Sequence, residues 1–384
     1  MIYLDSHATT PVDPKVLEAM LPFFTEHFGN ASSRNHPLGW TAAKAVETAR
    51  EQVAALIGAR FRDVVFTSGA TESNNLAIKG VAARAPAGRR HVVTVVTEHR
   101  AVLDPCRALE RGRFRVTYLG VTPDGLIDLD QLHAAVTDET LLVSVMAANN
   151  ETGVLQPLAE ISRIAKAHGA CVHCDAVQAA AVMALDVQEL GLDLVSLSAH
   201  KMYGPKGVGA LYVAKRNPPI AIEPLFDGGG HERGYRSGTL NVAGIVGFGA
   251  AARICLESRP SEAERLKTLR DRLWRGLQRV DGVHANGSMQ HRLPQNLNVR
   301  FDDVAGETLL ASLATSVAVS SGAACATVSA EPSHVLRALG LSDDQARASL
   351  RFGFHRFNTD QEVDSVVSMV ADSVNRLRRR APSA

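Results

Sequence analysis

Ala170-Cys171-Val172-His173-Cys174-Asp175 is a run of small and apolar residues that stops on a carboxylate, and its reading decides the fold. So short a run between helical patterns reads as a buried strand of the kind that fills parallel sheets. Asp63-Val64-Val65-Phe66-Thr67, His91-Val92-Val93-Thr94-Val95-Val96 and Leu141-Leu142-Val143-Ser144-Val145 read the same way. Amphipathic stretches at 41–57, 73–83, 128–135 and 158–168 separate them. Strands alternating with helices predict an α/β layer architecture built on a mostly parallel sheet with crossover connections. Leu194-Val195-Ser196-Leu197-Ser198 and Gly209-Ala210-Leu211-Tyr212-Val213, joined through the turn Tyr203-Gly204-Pro205-Lys206-Gly207, read as strand, loop, strand.

With 384 residues, 46% of them hydrophobic, the chain exceeds what one core usually holds. The charged stretch 257–279 marks the expected boundary, with a connecting helix starting after Pro260. A large domain then covers 16–257, and a smaller α+β domain covers 1–15 and 258–384, with strands near 295–301 and a terminal helix over 361–379. The 41 basic and 40 acidic residues nearly cancel, which argues against nucleic acid or an anionic membrane and for a small substrate. No apolar run reaches the roughly 18 residues of a membrane span, and Met1-Ile2-Tyr3-Leu4-Asp5 lacks the features of a signal peptide, so a cytoplasmic protein is expected. Five scattered cysteines do not form a disulfide framework; they predict reduced thiols, one of them reactive.

Three features carry chemistry. Lys201 follows a buried strand in Ser198-Ala199-His200-Lys201, where Schiff-base catalysis wants a shielded amine and where a hydroxyl and an imidazole can donate to a phosphate. A surface lysine is the plainer reading. Asp175 ends its strand where a pyridoxal ring nitrogen would need a buried carboxylate, although capping the next helix explains it equally well. Thr67-Ser68-Gly69-Ala70-Thr71-Glu72 lies between strand and helix, so its N–H groups and the Thr71 hydroxyl face an anion, or simply make a capping sequence.

Taken with Asn149-Asn150-Glu151-Thr152-Gly153, Asp175-Ala176-Val177-Gln178, Arg236-Ser237-Gly238-Thr239 and Ser320-Ser321-Gly322-Ala323-Ala324-Cys325, these pieces resemble the cysteine desulfurases of the NifS/IscS-like group, class-V aminotransferase-like enzymes of fold type I. The resemblance runs from Leu4-Asp5 to Arg356-Phe357. It implies an aspartate-aminotransferase-like fold with a seven-stranded sheet in the large domain, pyridoxal 5'-phosphate as cofactor, and removal of sulfur from L-cysteine to give L-alanine. Carried over, Lys201 holds the cofactor, His99 stacks on its ring and moves protons, and Asp175 pairs with the ring nitrogen. Gln178 and Asn149 hold the ring hydroxyl and the substrate side, while Ala70, Thr71, Ser198 and His200 bind the phosphate. Thr239 reaches the phosphate of a neighbouring subunit, which implies a homodimer. Arg351 grips the substrate carboxylate through a bidentate fork. Outside such a set, a lone histidine is more often structural and an arginine in a polar segment more often solvated.

Cys325, in the small-residue loop of about 320–331, is the expected sulfur acceptor, because thiolates attack sulfur and small neighbours let a loop swing. A transient iron–sulfur fragment could rest on it, and no intrinsic metal site is expected. Cys106 and Cys255 look structural, and Cys171 and Cys174 point to opposite faces of one strand, which argues against a redox or zinc pair. His231-Glu232 lacks the second histidine of a zincin, and Gly204-Pro205-Lys206-Gly207 is no P-loop. The loop resembles that of the subgroup serving iron–sulfur assembly, so the expected partner is an iron–sulfur scaffold. The short stretch after the terminal helix leaves the acceptor's identity open. A selenocysteine lyase and a non-catalytic sulfur relay or scaffold are the alternatives.

Overall fold

The computed structural model describes residues 1–321 and 331–380; Cys325 lies outside them. Seven strands form the central sheet: β2 (Val64–Thr67), β3 (His91–Val95), β4 (Arg115–Leu119), β5 (Thr140–Ser144), β6 (Cys171–Asp175), β7 (Leu194–Ser198) and β8 (Gly209–Val213), in the order β2-β8-β7-β6-β5-β3-β4. From β4 to β7 all neighbours are parallel, and every residue of β3, β5, β6 and β7 is buried. Helices on both faces explain that, and edge strand β4 alone is partly open. Strand β8 runs antiparallel to β7 and β2, since the short link after β7 cannot make a crossover. The expected mostly parallel seven-stranded sheet is what forms.

Beside it, β9 (Val283–Ala285), β10 (Asn296–Phe301) and β12 (Ser349–Gly353) make an antiparallel sheet, and β1 (Ile2–Tyr3) pairs with β11 (Val317–Ala318). The N-terminal segment thus belongs to the smaller sheet's side of the molecule while its next residues reach the large one. One expectation changes here. Pro260 does not begin a helix: it lies inside one continuous helix, Val242–Leu277, which crosses the expected boundary. Arg259, next to it, anchors that stretch by donating to the carbonyls of Leu56 (2.9 Å) and Ala180 (3.3 Å). Arg356 ties the helix to the N-terminus, pairing with Asp13 and Glu262 at 2.9 Å each while lying 3.8 Å over the Tyr203 ring. Among the described residues no helix is long and apolar enough to cross a membrane.

In open α/β sheets, loops at the carboxyl ends of parallel strands converge on one crevice. Here β6 delivers Asp175 and β7 delivers Ser198 to that end. The turn after β2 packs closely enough on β8 that a Cβ at Gly209 would lie 2.7 Å from the Cα of Gly69, whose φ of 152° itself calls for glycine.

Candidate active site

A cavity of about 730 Å³ opens at these strand ends, with His7, Ala70, Thr71, His99, Asn150, Glu151, Asp175, Gln178, Ser198, His200, Lys201 and Arg351 in its lining. Lys201 ends the one-turn helix Ala199–Lys201 directly after β7. Its Nζ donates to the carbonyls of His7 and Ala8, the latter at 2.8 Å, so the plain surface-lysine reading fails.

Asp175 is buried and accepts on both oxygens, from Asn74 Nδ2 at 2.8 Å and from the Val177 N–H at 3.1 Å. No helix follows β6 for Asp175 to cap; the Val177 bond closes a local turn, and the carboxylate lines the cavity. Two residues back on the same face of β6, His173 bridges Ser144 (2.8 Å) and Ser196 (3.0 Å) across three strands. Burial lowers that imidazole's pKa to about 4, so a neutral ring supports the row beneath Asp175.

The helix starting at Ala70 presents the first-turn N–H groups of Ala70 and Thr71, which have no carbonyl one turn back. Glu72 shapes the turn: its Oε2 accepts the Ser68 N–H at 2.8 Å and its Oε1 pairs with Arg236 Nε at 3.0 Å. His200 Nδ1 lies 3.1 Å from Thr9 Oγ1. Burial, then the positive Lys201 and Lys206, push its pKa down to about 4, so it lines the cavity as a neutral ring. His99 caps the helix Arg100–Glu110, its Nδ1 accepting the Ala101 N–H at 3.0 Å, while its ring lines the cavity.

Arg351 is not solvated; it sits in β12 at 1% exposure, with Nη2 on Asp5 Oδ1 (2.8 Å) and Nη1 on the Asn150 carbonyl (2.9 Å). Among the described residues its buried Nε has no partner. Gln178 donates to the His7 carbonyl at 3.1 Å and meets His7 Nδ1 through its Oε1 at 2.8 Å.

Two expected residues are not brought to the cavity. Asn149 lies behind its wall, with Nδ2 on the Thr97 carbonyl and Oδ1 accepting from Glu151 and Thr152, each at 2.9 Å. Its amide is spent on holding the turn, and the neighbouring Asn150 takes the place in the lining. Thr239 is exposed and outside the lining.

The sequence reading passed over four more groups: His7, Asn74, Glu98 and Glu151. Glu151 stands inside the quoted Asn149–Gly153 motif, and Asn74 and Glu98 lie close to Glu72 and His99, but nothing in a lone sequence separates them from their neighbours. Glu98 is fully buried, with Oε1 accepting the Met146 N–H at 2.6 Å and Oε2 without a partner among the described residues. Burial, reinforced by Asp175, holds its carboxyl well above the ordinary carboxylate range. Glu151, also raised by burial, accepts from the Ser333 hydroxyl.

Pyridoxal phosphate asks for an amine, a buried carboxylate, phosphate donors and a ring to lie against. Lys201, Asp175, the Ala70–Thr71 turn with Ser198 and His200, and His99 present that donor set around one cavity, so the residues fit the cofactor.

Comparison with known proteins agrees. The family described as aminotransferase class-V matches residues 2–366. A cysteine desulfurase IscS from Anaeromyxobacter sp. (strain Fw109-5) is 56% identical over 99% of this chain and 94% of its own length, and one from Methylobacillus flagellatus is 52% identical over the same shares. Among solved structures, a NifS-like protein superposes with a TM-score of 0.91 at 38% identity, covering 98% of this chain and 100% of the other. SspA in complex with cysteine gives 0.82 at 36% identity, covering 94% and 100%. The chain belongs to the class-V aminotransferase family and, within it, to the pyridoxal-phosphate-dependent cysteine desulfurases.

Proposed function

We propose that the cavity takes L-cysteine and yields L-alanine, with the sulfur received as a persulfide on Cys325. The observation that carries this reading is the meeting of the Lys201 amine, the buried Asp175 carboxylate and the Arg351 guanidinium on one cavity. When bound, pyridoxal phosphate supplies an aldehyde for amines and a ring that draws electrons from the substrate's α-carbon. Lys201 holds it, Asp175 faces the ring nitrogen, Gln178 the ring hydroxyl, and Ala70, Thr71, Ser198 and His200 the phosphate. His99 lies against the ring and carries protons. Arg351, already oriented by Asp5, offers its remaining N–H groups to the substrate carboxylate, with Asn150 rather than Asn149 beside it.

The active unit in this reading is a homodimer. Leu17, Leu21, Phe24, Phe28 and Trp40 are 47 to 65% exposed, more apolar surface in one stretch than a monomer usually leaves open, and Thr239 stands exposed to reach a neighbour's phosphate. Sulfur passes on to an acceptor such as an iron–sulfur scaffold. The four described cysteines are buried thiols, in keeping with work in the reducing cytoplasm. The large cofactor domain, 16–257, and the small one, 1–15 with 258–384, are part of the same reading.

The test is mass spectrometry after brief exposure to cysteine, with one added sulfur expected on Cys325. Lys201→Ala should abolish alanine formation, whereas Cys325→Ser should keep the cofactor's visible absorption and cysteine binding. Bleaching in Cys325→Ser, or sulfur located elsewhere, would overturn the assignment.

A further inference from the structure

His7 belongs to none of the motifs above, yet it stands where both halves of the site meet. It is 2% exposed, lines the cavity, and lends its carbonyl to both Lys201 Nζ and Gln178 Nε2. Its ring packs on the strand that carries Arg351: a Cβ at Gly353 would fall 2.6 Å from His7 Cδ2.

The two contacts with Gln178 settle the proton on that ring. A carbonyl only accepts, so the end of the Gln178 amide at the His7 carbonyl is the nitrogen. The end 2.8 Å from His7 Nδ1 is then the oxygen, which also only accepts. Nδ1 must therefore be the donor, and in the neutral ring Nε2 carries the lone pair, with no well-formed hydrogen bond among the described residues and only a weaker interaction of the ring with the Gln295 backbone, which favours a proton. A second proton would sit on a buried nitrogen near the positive Arg351 and Lys201. Those charges, after burial itself, push the pKa of His7 down to about 3, so the ring stays in this one form.

We infer that His7 is a positioning residue for the cofactor: by donating from Nδ1 it fixes which way the Gln178 amide faces, and so leaves the second Nε2 hydrogen of Gln178 for the cofactor's ring hydroxyl. The inference rests on the reading of Gln178 as the ring-hydroxyl partner. A side chain at position 7 that cannot donate leaves two oxygens facing each other, and the amide then turns or withdraws. The phenolic oxygen of the chromophore loses its donor, which its visible absorption reports independently of turnover.

The experiment compares His7→Asn, His7→Ala, His7→Asp and Gln178→Ala in the holoenzyme, reading the visible absorption maximum and retention of pyridoxal phosphate on dialysis. Asparagine can place an N–H where Nδ1 stood, so His7→Asn should keep the wild-type spectrum and retention. Aspartate, nearly the same shape, presents an acceptor there; His7→Asp should shift the maximum and weaken retention about tenfold, the worth of one hydrogen bond lost at a buried site. His7→Ala should shift it in the same direction, and decides the question if His7→Asp does not fold. Wild-type spectra in His7→Ala or His7→Asp, or a His7→Asn spectrum as altered as that of His7→Ala, would overturn the inference while leaving the role of Gln178 intact. An unchanged spectrum in Gln178→Ala would remove that role, and the inference with it.

Discussion

Two carboxyl groups stand close together at the carboxyl end of the sheet, and the protein treats them in opposite ways. Asp175, at the tip of β6, has a donor on each oxygen and opens onto the cavity. Glu98, just past β3, is fully buried, has one donor on Oε1 and, among the described residues, none on Oε2, and feels Asp175 as a neighbouring negative charge. Isolated from water, a carboxylate without partners is too costly to keep, and neutralisation by a proton is the usual escape. The difference separates a group placed to face a cationic ligand from one placed to hold backbone together. Glu98 joins the turn before His99 to the Met146 N–H just past β5, across which the cavity wall is built.

The largest effect is expected from the charged member. Asp175→Asn keeps the shape and loses the negative charge proposed to face the ring nitrogen, so turnover on cysteine should fall about 10²- to 10³-fold, the usual cost of removing one preorganised electrostatic partner. Far-ultraviolet circular dichroism should be unchanged. Activity within a few-fold of wild type would mean that the two carboxyl groups do not differ in the way proposed.

Next in size is Glu98→Ala. It strips the Met146 N–H of its acceptor inside the protein, and a buried orphan donor costs about 1–3 kcal/mol, with a further contribution from the space left behind. Urea unfolding measures the loss. No loss would show that Glu98 is not the link between the two strand ends.

The central sheet was legible because its strands are buried on both faces, and such strands announce themselves as apolar β-branched runs: β7 and β8 begin and end where the sequence places them. Edge strand β4, Arg115–Leu119, escaped because its residues are half-exposed and mixed in character. Arg351 was legible as a candidate but not as a buried strand residue, since the partners that satisfy it, Asp5 and the Asn150 carbonyl, lie 346 and 201 positions away. Asn149 and Asn150 show the limit most sharply. Adjacent identical side chains differ only in which one the turn turns inward, and that is decided by the backbone donors of Glu151 and Thr152. Pro260 was overread, because the roughly 3 kcal/mol that an interior proline costs a helix is outweighed by the packing of Val242–Leu277 and by the Arg259 bonds beside it.

The smallest effect has a predicted sign and is the sharpest test of the contrast. In the folded chain the Glu98 carboxyl titrates well above the ordinary carboxylate range, because burial disfavours the charge more than the Met146 N–H favours it. Between the unfolded value, about 4.3, and the raised one, the folded chain holds a proton that the unfolded chain has released. That proton's contribution to stability is complete below the unfolded value and drains away as pH rises through the folded one. In Glu98→Gln the amide keeps an acceptor for Met146 and does not titrate, so the drain is absent. At about pH 5 the variant should lie within about 1 kcal/mol of wild type, and between about pH 5 and pH 8 it should gain on wild type by at most about 1.4 kcal/mol per pH unit, the limit for one proton. The measurement is urea unfolding of both proteins across that range. Parallel curves would mean that Glu98 gives up its proton as readily as an exposed carboxyl, and the opposition between the two groups would be lost.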